Sequence, residues 1–193
     1  NLISIYLPFN TKKIEAQAFF FSEKLENISI PDDCRSIGWE SFSACSLISV
    51  NIPRNVSFID KLAFNRCYKL VSINVDSENR WYASIDGMLC DKKQETLIYY
   101  PAAGKKIINI PNTVKEINEY AFWGCNSLTD INFSDNITFI DDNAFWECTS
   151  LTSMLLPKSI AGIGDNAFTG CTNLTKIYIN REEPPFIEKR TFY

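Results

Sequence analysis

The chain has 193 residues, 46% of them hydrophobic and 13% aromatic, with 23 acidic against 19 basic side chains and a net charge of −4. That acidic excess argues against a phosphate-tracking surface for nucleic acid, and no run reaches the ~18 apolar residues of a bilayer-spanning helix. Histidine is absent, which excludes Ser-His-Asp and Cys-His catalysis and His-ligated zinc or haem.

The first element, Leu2-x-x-Ile5-x-Leu7-Pro8, reads as the tail of a unit whose front is missing. A small residue followed by Phe then recurs as Ala18-Phe19, Ser41-Phe42, Ala63-Phe64, Ala121-Phe122, Ala144-Phe145 and Ala167-Phe168. Within each block of three the step is 23 residues, or 22 from Ser41 to Ala63, where Cys45-Ser46-Leu47 is one residue shorter than Cys67-Tyr68-Lys69-Leu70. Upstream of the anchor stand two aliphatics three apart, as in Val56/Ile59 and Ile137/Ile140. Downstream come Cys, Leu and an alternating triplet: Ile28-Ser29-Ile30, Val50-Asn51-Ile52, Ile73-Asn74-Val75, Ile131-Asn132-Phe133, Met154-Leu155-Leu156 and Ile177-Tyr178-Ile179. A period of two with β-branched residues predicts a short strand with one buried face. A 23-residue step is too short for a helical crossover but fits one coil of a solenoid. Equivalent strands then stack in parallel ~4.8 Å apart, and the Val/Ile, Ala-Phe and Leu positions fill one continuous core.

Between Val75 and Ile110 the period fails and no Ala-Phe pair occurs. Asp86-Gly87 lies between apolar runs, a hairpin signal; Thr96–Tyr100 reads as a returning strand, so the stretch 76–110 is an irregular, hairpin-like unit. It is read mainly as a structural variant, with a binding lip as the functional alternative. At the C-terminus, Thr191-Phe192 falls where the next anchor begins.

The frame resembles the BspA-like (Treponema pallidum type) leucine-rich repeats, and Ala144-Phe145-Trp146-Glu147-Cys148-Thr149-Ser150-Leu151 carries the likeness most clearly. The resemblance implies an α/β solenoid: a right-handed superhelix with short parallel strands on the concave face and short helical or 3-10 turns opposite. Residues 1–193 are expected to form a single repeat domain of about six to seven units, read as a piece of a longer surface protein because the first unit lacks its front and solenoids normally carry polar caps; Glu182-Glu183-Pro184-Pro185 is similar to the family's terminal unit. The resemblance also implies a non-enzymatic, extracellular or cell-surface adhesion role toward a protein or matrix macromolecule, with a carbohydrate-binding or substrate-presenting module of a larger surface protein as the alternative. A monomer is expected, with no nucleic acid partner, membrane insertion or cofactor.

Five of seven cysteines (Cys45, Cys67, Cys125, Cys148, Cys171) share one repeat position. The reading is a buried row of free thiols, each a small polar atom beside backbone groups. Cys34 and Cys90 lie outside the frame, and the sequence leaves their pairing open. The acidic pairs Asp32-Asp33, Asp141-Asp142 and Glu182-Glu183 lack the D-x-D-x-D-G spacing of a calcium loop and are read as solvated bends. No phosphate-loop, dinucleotide or nucleophile-elbow motif occurs. Trp123 and Trp146 occupy equivalent positions and are read as covering the Phe ladder, with a sugar platform as the alternative. The outward strand positions supply the candidate binding residues: Asn51, Asn74, Asp130, Asn132, Leu155, Lys176 and Tyr178. The aromatic and apolar end, Leu155 to Tyr178, is favoured, because such side chains dominate interfaces.

Overall fold

The alternating triplets form one row of strands in the computed structural model, which describes residues 2–192. These are β1 (Ser4–Tyr6), β3 (Asn27–Ser29), β5 (Ser49–Ile52), β7 (Ser72–Val75), β11 (Ile107–Asn109), β13 (Asp130–Asn132), β15 (Ser153–Leu156) and β17 (Lys176–Ile179). They pair in parallel as β1–β3, β5–β7, β11–β13 and β15–β17, with Val50 opposite Ile73, Ile108 opposite Ile131 and Met154 opposite Ile177. In β5 the residues Val50 and Ile52 are buried while Ser49 and Asn51 face out. One parity feeds the core and the other builds a surface.

The aliphatic just upstream of each anchor forms a second row of two-residue strands: β2 (Lys13–Ile14), β4 (Ser36–Ile37), β6 (Phe58–Ile59), β12 (Glu116–Ile117), β14 (Phe139–Ile140), β16 (Gly162–Ile163) and β18 (Phe186–Ile187). They too stack in parallel, Ile37 against Ile59 and Ile140 against Ile163.

Among the described residues there is no α-helix or 3-10 segment. The expected α/β class with helical turns is therefore corrected to a β-solenoid. The cause lies in the turns around each anchor. The residue before the small-Phe pair and the one two after its Phe are repeatedly left-handed, as at Glu40 (φ 48°) and Ala44 (φ 58°), Asn143 (57°) and Glu147 (59°), and Asn166 (54°) and Gly170 (74°). A left-handed residue every fourth position stops a right-handed helix from propagating. The anchor amides instead donate to the next coil: Phe42 N to Ala63 O at 2.9 Å, and Phe122 N to Ala144 O and Phe145 N to Ala167 O at 2.8 Å. Close approach of the coils is visible at Gly164, where an added Cβ would lie 2.5 Å from the Asp142 backbone nitrogen.

Inside, the anchor rings stack coil on coil. Centroids are 5.4 Å apart for Phe19–Phe42, 5.6 Å for Phe42–Phe64, 4.7 Å for Phe122–Phe145, 5.5 Å for Phe145–Phe168 and 5.7 Å for Phe168–Phe192. The core is not continuous, however, but consists of two apolar clusters that meet at the irregular unit. There β8 (Tyr82–Ile85) and β9 (Met88–Asp91) pair antiparallel across Asp86-Gly87, both with positive φ (50° and 81°), as a two-residue hairpin turn requires. Then β10 (Thr96–Tyr99) returns antiparallel to β9 and joins the second row beside β12.

Tyr99 and Tyr100 replace the missing anchor. Consecutive residues point to opposite sides of a strand, so Tyr99 meets Phe64 (6.0 Å) in the N-terminal cluster and Tyr100 meets Phe122 (5.1 Å) in the C-terminal one. Buried Asn79 fastens the unit to the preceding coil. Its Nδ2 donates to the Pro53 and Val56 carbonyls (2.8 and 2.9 Å), and its Oδ1 accepts from the Trp81 and Tyr82 amides (2.8 and 2.9 Å).

Candidate functional site

The outward parity of the first row carries the side chains singled out from sequence, but it does not gather them into one site. Asn51 and Asn74 lie in register on β5 and β7, N-terminal to the irregular unit. Asp130, Asn132, Leu155, Lys176 and Tyr178 lie beyond it on β13, β15 and β17.

The asparagines bond to one another along the row: Asn74 Nδ2 donates to Asn51 Oδ1 at 3.2 Å, and Asn132 Nδ2 to Asn109 Oδ1 at 2.8 Å. Part of their hydrogen-bonding capacity therefore serves to hold neighbouring coils in register. Asp130 accepts from the Ile131 amide at 2.8 Å. At the C-terminal end Leu155 sits opposite Tyr178, 61% and 54% exposed, with Lys176 on the same parity of β17.

The irregular unit opens a cleft in this surface that the sequence reading did not locate. Its cavity of about 460 Å³ is lined by β7 on one side and β11 on the other, with the Asp86-Gly87 turn and the Pro101–Lys105 loop between them. Buried Met88, Tyr100 and Ile108 form its floor. Asp86 and Lys105 form an ion pair at 3.9 Å beside it, and the Tyr100 hydroxyl braces the loop by donating to the Lys105 carbonyl at 3.0 Å. An Asp-Gly turn inside a period failure was the sequence signal. Where its tip lands was not.

All seven cysteines are buried free thiols, Cys34 and Cys90 included. The row has a clear physical role. Cys45, Cys67, Cys148 and Cys171 each direct Sγ to the anchor carbonyl of the coil before, Phe19, Phe42, Phe122 and Phe145, at 3.0–3.1 Å. Cys125 lies 3.7 Å from the Tyr100 carbonyl. Where the row is interrupted, the Tyr99 hydroxyl takes over and donates to Phe64 O at 2.8 Å. Burial pushes four of these five thiols up, Cys45 to about 11, with Cys67, Cys125 and Cys148 raised as well, and those four give nucleophilic thiolate chemistry no support. Cys171 is lowered instead, chiefly by its hydrogen bond with the Cys148 thiol.

Two of the acidic pairs, Asp32-Asp33 and Asp141-Asp142, bridge coils. Asp32 pairs with Arg54 at 2.5 Å, and Arg54 also reaches Glu78 at 3.2 Å. Asp33 pairs with Lys12 at 2.5 Å, a contact that holds its carboxyl below the usual range. Asp142 accepts from the Asp165 amide at 2.7 Å. Among the described residues no group of three or more Cys, Asp or Glu side chains converges on a metal position. Trp123 and Trp146 are half-buried, 5.8 Å apart between centroids, and Trp123 Nε1 donates to Glu147 at 3.4 Å.

With this geometry in hand, comparison with known proteins is decisive on one point. A family model described as a BspA type leucine rich repeat region matches in six copies over residues 1–86 and 98–193. The chain belongs to the BspA-type leucine-rich repeat family. The stretch this model passes over, residues 87–97, comprises β9 and the turn into β10, the part of the chain that departs most from the repeat.

Three solved structures agree on the fold. A leucine-rich repeat protein from Eubacterium ventriosum superposes with a TM-score of 0.78 at 23% identity, covering 95% of this chain and 56% of that one. The pneumococcal vaccine antigen PcpA gives 0.73 at 21%, covering 95% and 58%. A leucine rich cell surface protein from Faecalibacterium prausnitzii gives 0.63 at 24%, covering 92% and 59%. This BspA-type chain thus spans little more than half the length of each. No curated protein matches. No helix among the described residues is long and apolar enough to cross a membrane.

Proposed function

We propose that this BspA-type chain is a non-catalytic adhesion module, one repeat domain of a longer protein displayed at a cell surface, which docks a protein or matrix macromolecule on the outward face of its first strand row. The observation that carries the reading is the exposed Leu155–Tyr178 pair, held in register by two parallel strands. An apolar and an aromatic side chain fixed on a rigid sheet lose little entropy on docking and are typical interface anchors. Lys176 adds a flanking charge for steering an acidic partner. Two structural relatives bear names pointing outside the cell, a cell surface protein and a vaccine antigen, which supports the placement.

The carbohydrate alternative draws no support from the tryptophans, which are half-buried against each other rather than open as a platform. The test sets a panel of extracellular-matrix proteins beside a glycan array. The reading expects capture from the protein panel, weakened at least tenfold by Tyr178→Ala with unaltered thermal stability. Glycan-only binding, or capture indifferent to Tyr178→Ala, contradicts it.

A further inference from the structure

We infer that the cleft between β7 and β11 is a strand-addition site, which takes an extended peptide segment of a partner protein by pairing it with the free edge of β11. In a parallel pair, alternate residues of a strand direct both N–H and C=O to the same neighbour. Thr129 and Asp130 donate to the Lys106 carbonyl, and Ile110 donates to Asn132. With the register Ile107–Asp130 and Asn109–Asn132, it is Ile108 that bonds to β13, while the amides and carbonyls of Ile107 and Asn109 face the other way, into the cleft. Their counterparts in β7 and β13 (Ser72 and Asn74, Asp130 and Asn132) are bonded to the preceding strand. For β11 the preceding strand is missing.

β7 does not fill that place: no Cα of β7 lies within 8 Å of a Cα of β11, against ~4.8 Å between adjacent strands, and the cavity of about 460 Å³ runs along β11. The opposite edge is already closed: Ile73 N donates to Gly87 O at 2.9 Å and Val75 N to Ser84 Oγ at 3.1 Å. The vacancy therefore belongs to β11, with two backbone donors and two acceptors on offer. An added strand would set one parity on the apolar floor of Met88, Tyr100 and Ile108 and turn the other outward between Val71 and Ile107, which are 52% and 58% exposed. The partner segment is thus an uncharged stretch of about four to five residues with apolar side chains at alternate positions, read through its backbone.

This inference rests on the proposed interaction role and specifies the form of its partner. The test is amide NMR with a synthetic peptide copying residues 47–52, an uncharged stretch whose alternation is that of the row itself. In the free chain the Ile107 and Asn109 amides should exchange at least tenfold faster than that of Ile108. Adding peptide at about 1 mM should shift and protect those two amides. Methylating alternate peptide nitrogens should abolish the effect, a control that leaves the protein intact. Ile107→Pro removes an amide with no internal partner, so it should fold normally and lose at least tenfold in peptide affinity. Protected Ile107 and Asn109 amides in the free chain, or binding indifferent to both N-methylation and Ile107→Pro, overturns the inference. Matrix-protein capture that survives such a result through Tyr178 leaves the adhesion reading standing; loss of both removes the two together.

Discussion

Replacing Phe145 by Ala probes the stacked interior most sharply. Its ring is fully buried, lies 4.7 Å from Phe122 on one face and 5.5 Å from Phe168 on the other, and meets Phe133 edge-on at 6.3 Å. Truncating a buried Phe costs ~3–5 kcal/mol, and each lost aromatic pair adds ~0.5–1.5 kcal/mol beyond area. Neighbours fixed by cross-coil backbone bonds cannot collapse into the space, so the expected loss is ~4–5 kcal/mol. Phe192, 56% exposed, stacks among the described residues on Phe168 alone, so its truncation should cost ~1 kcal/mol. Urea titrations of both variants, followed by far-UV circular dichroism, measure the contrast. A Phe145→Ala cost below ~2 kcal/mol, or equal costs at the two sites, refutes a core built by stacking.

Tyr99→Phe leaves the ring and deletes the hydroxyl that bonds Phe64 O, so it should cost ~1–2 kcal/mol in the same titration, with the loss concentrated in the N-terminal cluster. Asn79→Ala removes four hydrogen bonds and should cost ~3–4 kcal/mol, freeing β8 amides to exchange first. Gly164→Ala sets a Cβ against the backbone of Asp142, whereas Gly162→Ala meets only the movable ring of Phe139 at 2.5 Å; thermal melts should show the former several-fold more damaging. The thiol row predicts alkaline sensitivity. Cys45 rises to about 11 in the folded chain from an ordinary 9.0, by burial, so its stabilising share is complete below pH ~9 and lost as pH climbs toward 11, where the unfolded chain binds fewer protons. The urea midpoint should stay flat from pH 6 to 8 and fall above 9, less steeply in Cys45→Ala; a midpoint that rises above pH 9 contradicts the assignment.

Much of the fold was legible because the repeat writes each contact several times. Phe19, Phe42, Phe64, Phe122, Phe145 and Phe168 announced the ladder, and the recurrence of Cys45, Cys67, Cys125, Cys148 and Cys171 pointed to a buried polar atom beside a bend. The second strand row escaped because two residues such as Ser36-Ile37 are too few to display a period. The helical turns expected opposite the strands failed because residues such as Ala44 and Glu147, unremarkable in a helix, adopt left-handed backbone here. Tyr99 and Tyr100 hid their part as substitute anchors because that part depends on one chain position serving two cores, and nothing in the repeat frame encodes it. The cleft was invisible for a related reason: Asp86-Gly87 marks a turn, but only the folded path shows that its tip covers β7 and leaves β11 bare.

The central claim is that coils stack in parallel at fixed register, and disulfide trapping reads that register directly. Ser49 and Ser72 are outward register partners on β5 and β7, and adjacent strands at ~4.8 Å lie within the Cα range for a bridge. The double variant Ser49→Cys, Ser72→Cys should crosslink readily under mild oxidant while the buried native thiols stay silent, and Ser49→Cys, Asn74→Cys, two residues out of step on the same face, should crosslink far more slowly. Equal rates for the two pairs, or faster closure of the shifted one, would contradict the stacked-coil account.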